Sequence, residues 1–224
     1  MTKENRQIYS ILAREIVYLE LKPGDKLYES EIAKRFNVSR TPIRDVFQKL
    51  EQDGLIEVYP QRGSFVSKLS LDGITDIIYI RSLVEKHVFE EYMNLATALD
   101  ISKLDVIVQE AEKLADEISS NSMNLRKKIF ELDFYLYETI YTRVGRKSVF
   151  DLLNSSNPSF FRYRFFAFLS AKEDIKSYLS IDRDIISALI SQDKDAINDC
   201  IEKHNFFGLS KLNDIKSTNS AYLK

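Results

Sequence analysis

Apolar positions change their period repeatedly over the first seventy residues. Ile8, Ile11, Leu12, Ile16 and Leu19 recur at helical spacing and stop at Pro23-Gly24. A short helix is predicted over Ser30–Phe36, with Ser30 as its N-cap and Ala33 and Phe36 inward. Asn37-Val38 is the turn. Ser39 then caps a longer helix running to Asp53, with Pro42 in the first turn, where a missing N–H is harmless. Ile43, Val46, Phe47 and Leu50 form its buried stripe, and Gly54 is its stop. Leu55–Tyr59 and Ser64–Lys68 alternate like strands on either side of the tight turn Pro60-Gln61-Arg62-Gly63.

From about residue 71 the pattern is helical throughout. A first helix is predicted over Leu71–Ala96, with Ile74, Ile77, Ile78, Leu83, Val84 and Val88 inward. Further helices are predicted over 101–119, 123–143, 147–169, 174–191 and 194–215. Breaks are expected near Ala98–Asp100, Ser119–Met123, Gly145, Ser170–Glu173 and Gln192–Asp193. The fold class expected is mainly α: a winged helix-turn-helix over residues 1–69 and an all-helical bundle over 70–224.

Composition adds bounds. Hydrophobic residues make up 44% and charged residues 29%, ordinary for a soluble globular chain, and the net charge of −2 makes no polycation of it. Residues 1–70 hold 12 Lys+Arg against 10 Asp+Glu, and the remainder holds 20 against 24, a mild basic bias toward the first domain. A single cysteine, Cys200, rules out a disulfide within the chain and argues against a cysteine-based zinc site. No run approaches the roughly 18 apolar residues of a membrane helix, and the first residues lack an apolar signal core, so a cytoplasmic location and no membrane partner are expected.

Two short helices joined by a tight turn, the second opening Ser39-Arg40-Thr41-Pro42 and followed by Arg44, suit the major groove. Arg40 and Arg44 share one helix face, and an arginine can grip guanine with two hydrogen bonds. The hydroxyls of Ser39 and Thr41, with the free N–H groups of a helix start, suit phosphate oxygens, and Ser30 offers a second helix start. Arg62 at the hairpin tip can reach a phosphate or the minor groove, and Gly63 permits close backbone approach. Residues 6–69 resemble the DNA-binding domain of the GntR family. The matching stretches are Leu21–Leu27, Glu31-Ile32-Ala33, Val38–Val46, Leu50, Asp53–Ile56 and Arg62–Val66. The resemblance implies that Ser30, Arg40, Arg44, Arg62 and Gly63 sit at double-stranded operator DNA. Some members carry an arginine where this chain has Ser30, so one expected contact is absent here.

In the helical half, inward polar residues carry the chemistry. Asp133 and Tyr137 lie four apart on one helix. Asp182 sits in the apolar stretch Tyr178–Leu189, His204 is on the last helix, and Arg81 lies in an apolar run of the first. Together they offer carboxylates, an imidazole, a phenol and a cation, a set that suits a divalent metal, an anionic effector, or both. Arg162 and Arg164, set in Phe160-Phe161-Arg162-Tyr163-Arg164-Phe165-Phe166, are read as surface charges among aromatics rather than as the lining of a cavity.

This half resembles the FCD ligand-binding domain of the FadR-type GntR branch, through Arg81 and Glu85, Asp133 with Leu136, the Gly145 turn, and Ile185 through Ala188, Asp193, Ala196 and Ile201 to His204. Members similar to this often hold a metal through one aspartate and three histidines. By that resemblance Asp133 and His204 keep two ligand positions, while Tyr137 and Asp182 replace two histidines. Asp133, Asp182 and His204 would then favour a harder ion such as manganese, magnesium or calcium. In the other reading the metal is lost, Tyr137 and His204 bind an organic effector directly, and Arg81 pairs with its carboxylate.

The function expected is a ligand-controlled transcription regulator, a homodimer and a repressor, with an organic acid as effector. The alternative keeps DNA binding but makes the second domain a mere dimerisation scaffold, with Asp133 and His204 pointing outward. No nucleophile elbow, P-loop, GxGxxG or HExxH occurs, and the chain has two histidines, His87 and His204, so an enzyme is not expected.

Overall fold

The computed structural model describes residues 1–118, 123–155, 158–170, 175–207, 209, 222 and 223. By internal contacts these fall into two compact units. The first takes in Met1–Ile74, Asn154–Phe166 and the described residues 222 and 223, and the second takes in Thr75–Leu153 and the described part of Ala167–Lys211. The boundary expected after residue 69 thus falls inside the first unit, which also draws on a segment from late in the chain.

The first unit is built on α1 (Lys3–Val17), α2 (Glu29–Phe36) and α3 (Arg40–Gln52), with β1 (Lys26–Leu27), β2 (Ile56–Tyr59) and β3 (Gly63–Val66). Ile8, Leu12 and Ile16 of α1 meet Ile43, Val46, Phe47 and Leu50 of α3, and Leu27, Leu55, Ile56 and Val66 close the same core. The period predicted for α1 holds for those three residues, but Ile11 is exposed and Leu19 lies beyond the helix. Asn37 turns the chain between α2 and α3 in the left-handed region at φ 56°. Gly54, at φ 69°, ends α3, and the Leu55 N–H reaches back to the Leu50 carbonyl. The sheet order is β1-β3-β2, antiparallel throughout, with Ile56 opposite Val66 and Tyr59 opposite Gly63. The two-residue β1 carries no periodicity of its own and was not predicted.

The helices that follow are α4 (Leu71–Leu95), α5 (Ala98–Asp116), α6 (Met123–Arg143), α7 (Lys147–Ser155), α8 (Pro158–Ser170), α9 (Ile175–Ser191) and α10 (Lys194–Phe206). In the second unit α5 packs on α6 and α9, and α9 on α10. The helix expected over 147–169 is described as two, α7 and α8, and residues 156 and 157 between them lie outside the described residues. The last helix ends at Phe206 rather than 215, and residues 208 and 210–215 of that expectation lie outside the described residues, as do 119–122 and 171–173 of the expected breaks and 174 of the helix expected after them. On α4, Ile74, Ile77, Ile78 and Val88 are buried as expected, but Leu83 is exposed. The buried stripe passes through Arg81 and Glu85 instead, because those positions continue the helical spacing from Ile77 and Ile78.

Arg162 and Arg164 correct the surface reading. Arg162 is 0% exposed and Arg164 is 8% exposed, its guanidinium over the Phe160 ring at 5.8 Å. Within the first unit, Arg162 Nη1 donates to the Ser67 carbonyl at 2.6 Å and Nη2 to Ser67 Oγ at 3.0 Å and Ser159 Oγ at 3.3 Å. Burial pulls the guanidinium down to about 10, against the upward pull of Glu57, so it stays charged at neutral pH.

Leu50 is fully buried at the meeting of α3 with the rest of its core. Leu50→Ala is expected to destabilise the protein by about 2–5 kcal/mol, read from urea unfolding followed by circular dichroism.

Candidate functional site

The first unit presents all seven residues predicted for DNA on its surface: Ser30, Ser39, Arg40, Thr41, Arg44, Arg62 and Gly63 are each exposed. One local detail differs. The backbone cap of α2 is Tyr28, extended at φ −105° and ψ 115°, so Ser30 stands inside the first turn and does not cap it. Glu29 and Glu31 in that turn complement the helix dipole. Ser39 does cap α3, with extended backbone, and its hydroxyl makes no capping bond. Arg44 Nε donates to Glu29 Oε2 at 3.1 Å, which ties the recognition helix to the start of α2. At the hairpin tip Gln61 and Gly63 hold positive φ, 63° and 100°, and a side chain at Gly63 would press to 3.2 Å from Lys26 Cε. Arg62 extends over the Tyr59 ring at 5.4 Å.

In the second unit, Asp133 from α6, Asp182 from α9 and His204 from α10 are all buried and meet. One ligand atom from each lies within 4.8 Å of the other two. His204 Nε2 is 2.7 Å from Asp133 Oδ1 and 3.3 Å from the Tyr178 hydroxyl. Tyr137 lies flat against the imidazole, ring centroids 4.4 Å apart and planes 15° from parallel. Phe89 also packs on Tyr137, ring centroids 5.2 Å apart.

Donors that share one ion at about 2.0–2.2 Å stand no more than roughly 4.4 Å apart, so the three side chains need only small shifts to do so. Two carboxylates and one imidazole suit a hard or intermediate divalent ion. Tyr137, at the position where the resemblance leads one to expect a histidine, offers its ring face to His204, so the set that fits an ion is Asp133, Asp182 and His204.

Arg81 is engaged within its own helix. It pairs with Glu85 at 3.0 Å, and Asn205 Nδ2 donates to Glu85 Oε2 at 2.6 Å. Burial, with the Glu85 charge, raises the phenol of nearby Tyr141 above its ordinary value. An effector carboxylate would have to exchange with Glu85 to reach this guanidinium. Tyr178 and Asn205 were not singled out in the sequence. Tyr178 stands four residues before Asp182, so helical spacing alone puts it on the same face.

Comparison with known proteins agrees with this architecture. Residues 4–66 match the bacterial regulatory proteins of the gntR family, and residues 76–205 match the FCD domain. The chain belongs to the gntR family, in the branch that carries an FCD domain. It is a DNA-binding transcriptional regulator and not an enzyme. Among its relatives, the HTH-type transcriptional repressor RspR of Escherichia coli K12 is 32% identical over 205 residues, covering 89% of this chain and 85% of RspR. The regulator YdfH of Shigella flexneri matches to the same extent. Among solved structures, E. coli McbR/YncC superposes with a TM-score of 0.75 at 17% identity, over 96% of this chain and 99% of its own. A GntR regulator from Rhodococcus sp. RHA1 gives 0.74 at 20% identity, over 95% and 99%. At such identities the last two show the fold. No helix among the described residues is long and apolar enough to cross a membrane.

The Arg81–Glu85 pair yields a direct test. Glu85→Leu alone strands a buried guanidinium and is expected to cost about 3–5 kcal/mol in urea unfolding. Adding Arg81→Met to it should recover a large part of that loss.

Proposed function

We propose that this regulator is a cytoplasmic homodimeric repressor whose operator affinity answers to an organic acid bound in the helical unit on a divalent ion. The observation that carries the reading is the meeting of Asp133, Asp182 and His204, buried and from three helices, with donor atoms within 4.8 Å. Two buried carboxylates beside an imidazole are an expensive arrangement for a scaffold, which would be better served by apolar packing. A scaffold-only domain also calls for Asp133 and His204 to point outward, and both are buried. When bound, an ion supplies a positive centre that a chelating carboxylate can share. Were an ion held there, His204 would have to meet it as a neutral imidazole and both aspartates as carboxylates, so ion binding would weaken in acid. With Arg81 neutralised by Glu85, the ion is the better anchor for an effector's charge.

On the DNA side, Arg40 and Arg44 read bases from the start of α3. Ser30, Ser39 and Thr41 meet phosphates, and Arg62 and Gly63 place the wing. Glu29 holds only the Nε of Arg44, which leaves its two terminal nitrogens for guanine. Two copies are required to occupy half-sites about one DNA turn apart. The name of RspR, a transcriptional repressor, supports repression as the outcome.

Two measurements test this. DNA fragments enriched by the purified protein from a random-sequence library serve as the probe for binding. Arg44→Ala should weaken binding to the enriched sequence by about 1–3 kcal/mol and relax its base preference, whereas Arg62→Ala should weaken all sequences alike and flatten the salt dependence. For the helical site, thermal melting is followed after chelation and then with manganese, calcium, zinc or nickel. Manganese at about 100 times its Kd should stabilise by about 2.7 kcal/mol, and the gain should vanish in Asp182→Ala. No shift with any ion would mean that the site binds its effector without metal.

A further inference from the structure

The three-stranded sheet of the first unit turns Leu27, Ile56, Ser64 and Val66 inward, where all four are buried. The alternation of strands then puts their neighbours on the outer face. Lys26 of β1 stands opposite Phe65 of β3 there, and Tyr59 of β2 stands opposite Gly63. The Tyr59 and Phe65 rings meet edge to face, centroids 5.9 Å apart. Arg62 lies over Tyr59 at one end of this strip. Lys26 lies at the other, its Nζ 5.1 Å from the centroid of the Tyr28 ring and 5.7 Å from that of Phe65. Both distances are within the reach of a cation's attraction to a ring face.

Lys26 is exposed, and its charge is differently placed from those around it. Arg35 is tied to Glu15, Arg44 to Glu29 and Lys49 to Asp53. Lys26 makes no ion pair among the described residues, so its ammonium rests on rings alone and stays open to an anion. A lysine ordinarily gives up much rotamer freedom when it binds one, and a side chain already held between two rings has less to lose. Its stem runs to the hairpin tip, with Cε 3.2 Å and Nζ 3.8 Å from the place a Cβ on Gly63 would take. Three residues further on, Glu29 holds Arg44 of α3. The short run from Lys26 to Glu29 thus touches the wing at one end and the recognition helix at the other.

On the reading that places α3 in the major groove and the wing in the minor groove beside it, one sugar–phosphate strand must pass between them. We propose that Lys26 is a DNA-contacting residue that grips a phosphate of that strand, with Tyr28 and Phe65 holding its ammonium ready. The contact carries no base preference, because it is made to the backbone.

Binding of the full-length protein to the enriched DNA fragment is followed by fluorescence anisotropy between about 50 and 200 mM salt. Lys26→Met keeps the stem and its packing on the rings and removes only the charge. One phosphate contact contributes about 0.9 to the slope of log affinity against log salt. Across that range the variant should therefore lose about three- to fourfold less affinity than the unaltered protein does. Lys26→Arg should restore the slope, and neither variant should change the base preference. Lys49→Met removes a charge already held by Asp53 and should leave the slope as it is. A merely structural role for Lys26 would weaken binding equally at every salt concentration, and that result overturns the proposal. An equal fall in slope with Lys49→Met overturns it too, since the effect is then one of overall charge. If Lys26→Met alone is silent, the placement of α3 and the wing on DNA stands and the role of Lys26 falls. If Arg44→Ala and Arg62→Ala are silent as well, the placement itself has failed and takes the role of Lys26 with it.

Discussion

His204 Nε2 meets Asp133 Oδ1 at 2.7 Å in an interior that excludes water. A carboxylate in such a place must be paired, protonated or bound to a cation, since leaving it bare costs several kcal/mol. The pairing therefore sets the rotation of α6 and α10 about their axes, and Asp182 and Tyr178 do the same for α9. The next residue of α10, Asn205, donates to Glu85 and brings the Arg81–Glu85 pair of α4 into the same constraint. Two consecutive residues of one helix thus index α10 against α4, α6 and α9. The apolar packing of the bundle supplies most of its stability, but it tolerates sliding, and the polar contacts do not.

The first unit follows the opposite plan. Its core is apolar, and every residue assigned to DNA stands outside it, where a charge costs little. The Arg44–Glu29 contact is of that kind, an exposed pair worth at most about 1 kcal/mol and readily exchanged for a base or a phosphate. A recognition surface gains from such looseness, because the side chains can settle on their partner after the helix has docked. A buried polar cluster that fixes how helices meet gains from the reverse.

This contrast also explains what could be read from the sequence. The winged helix was legible almost residue by residue because its signals are local: Pro42, Gly54 and Gly63 act on their own turns, and α3 shows its stripe openly. Of its helices and strands only β1 escaped, being two residues long and defined by pairing with β3, while Ser30 was misplaced as a cap and Ile11 as a core residue. In the helical half, the meeting of Asp133, Asp182 and His204 was anticipated, but Arg81 was expected to pair with an effector's carboxylate, whereas its partner is Glu85, one turn on in the same helix. Arg162 was misread for a related reason. Phe160 to Phe168 offers no polar face, and a helix apolar all round is buried all round. The arginine within it had to be buried too, and its partner lay 95 residues away in sequence, where no local pattern could point to it.

That separation has a consequence for how the protein comes into being on the ribosome. Ser67 is synthesised 95 residues before Arg162. At about 5–20 residues per second, the wing's exit waits roughly 5–20 s for the guanidinium that fixes it. During that interval the helix-turn-helix core can already close, because Leu12, Leu50 and Val66 are all available. The nascent regulator thus has its helix-turn-helix core assembled before the arginine that holds Ser67 has been made.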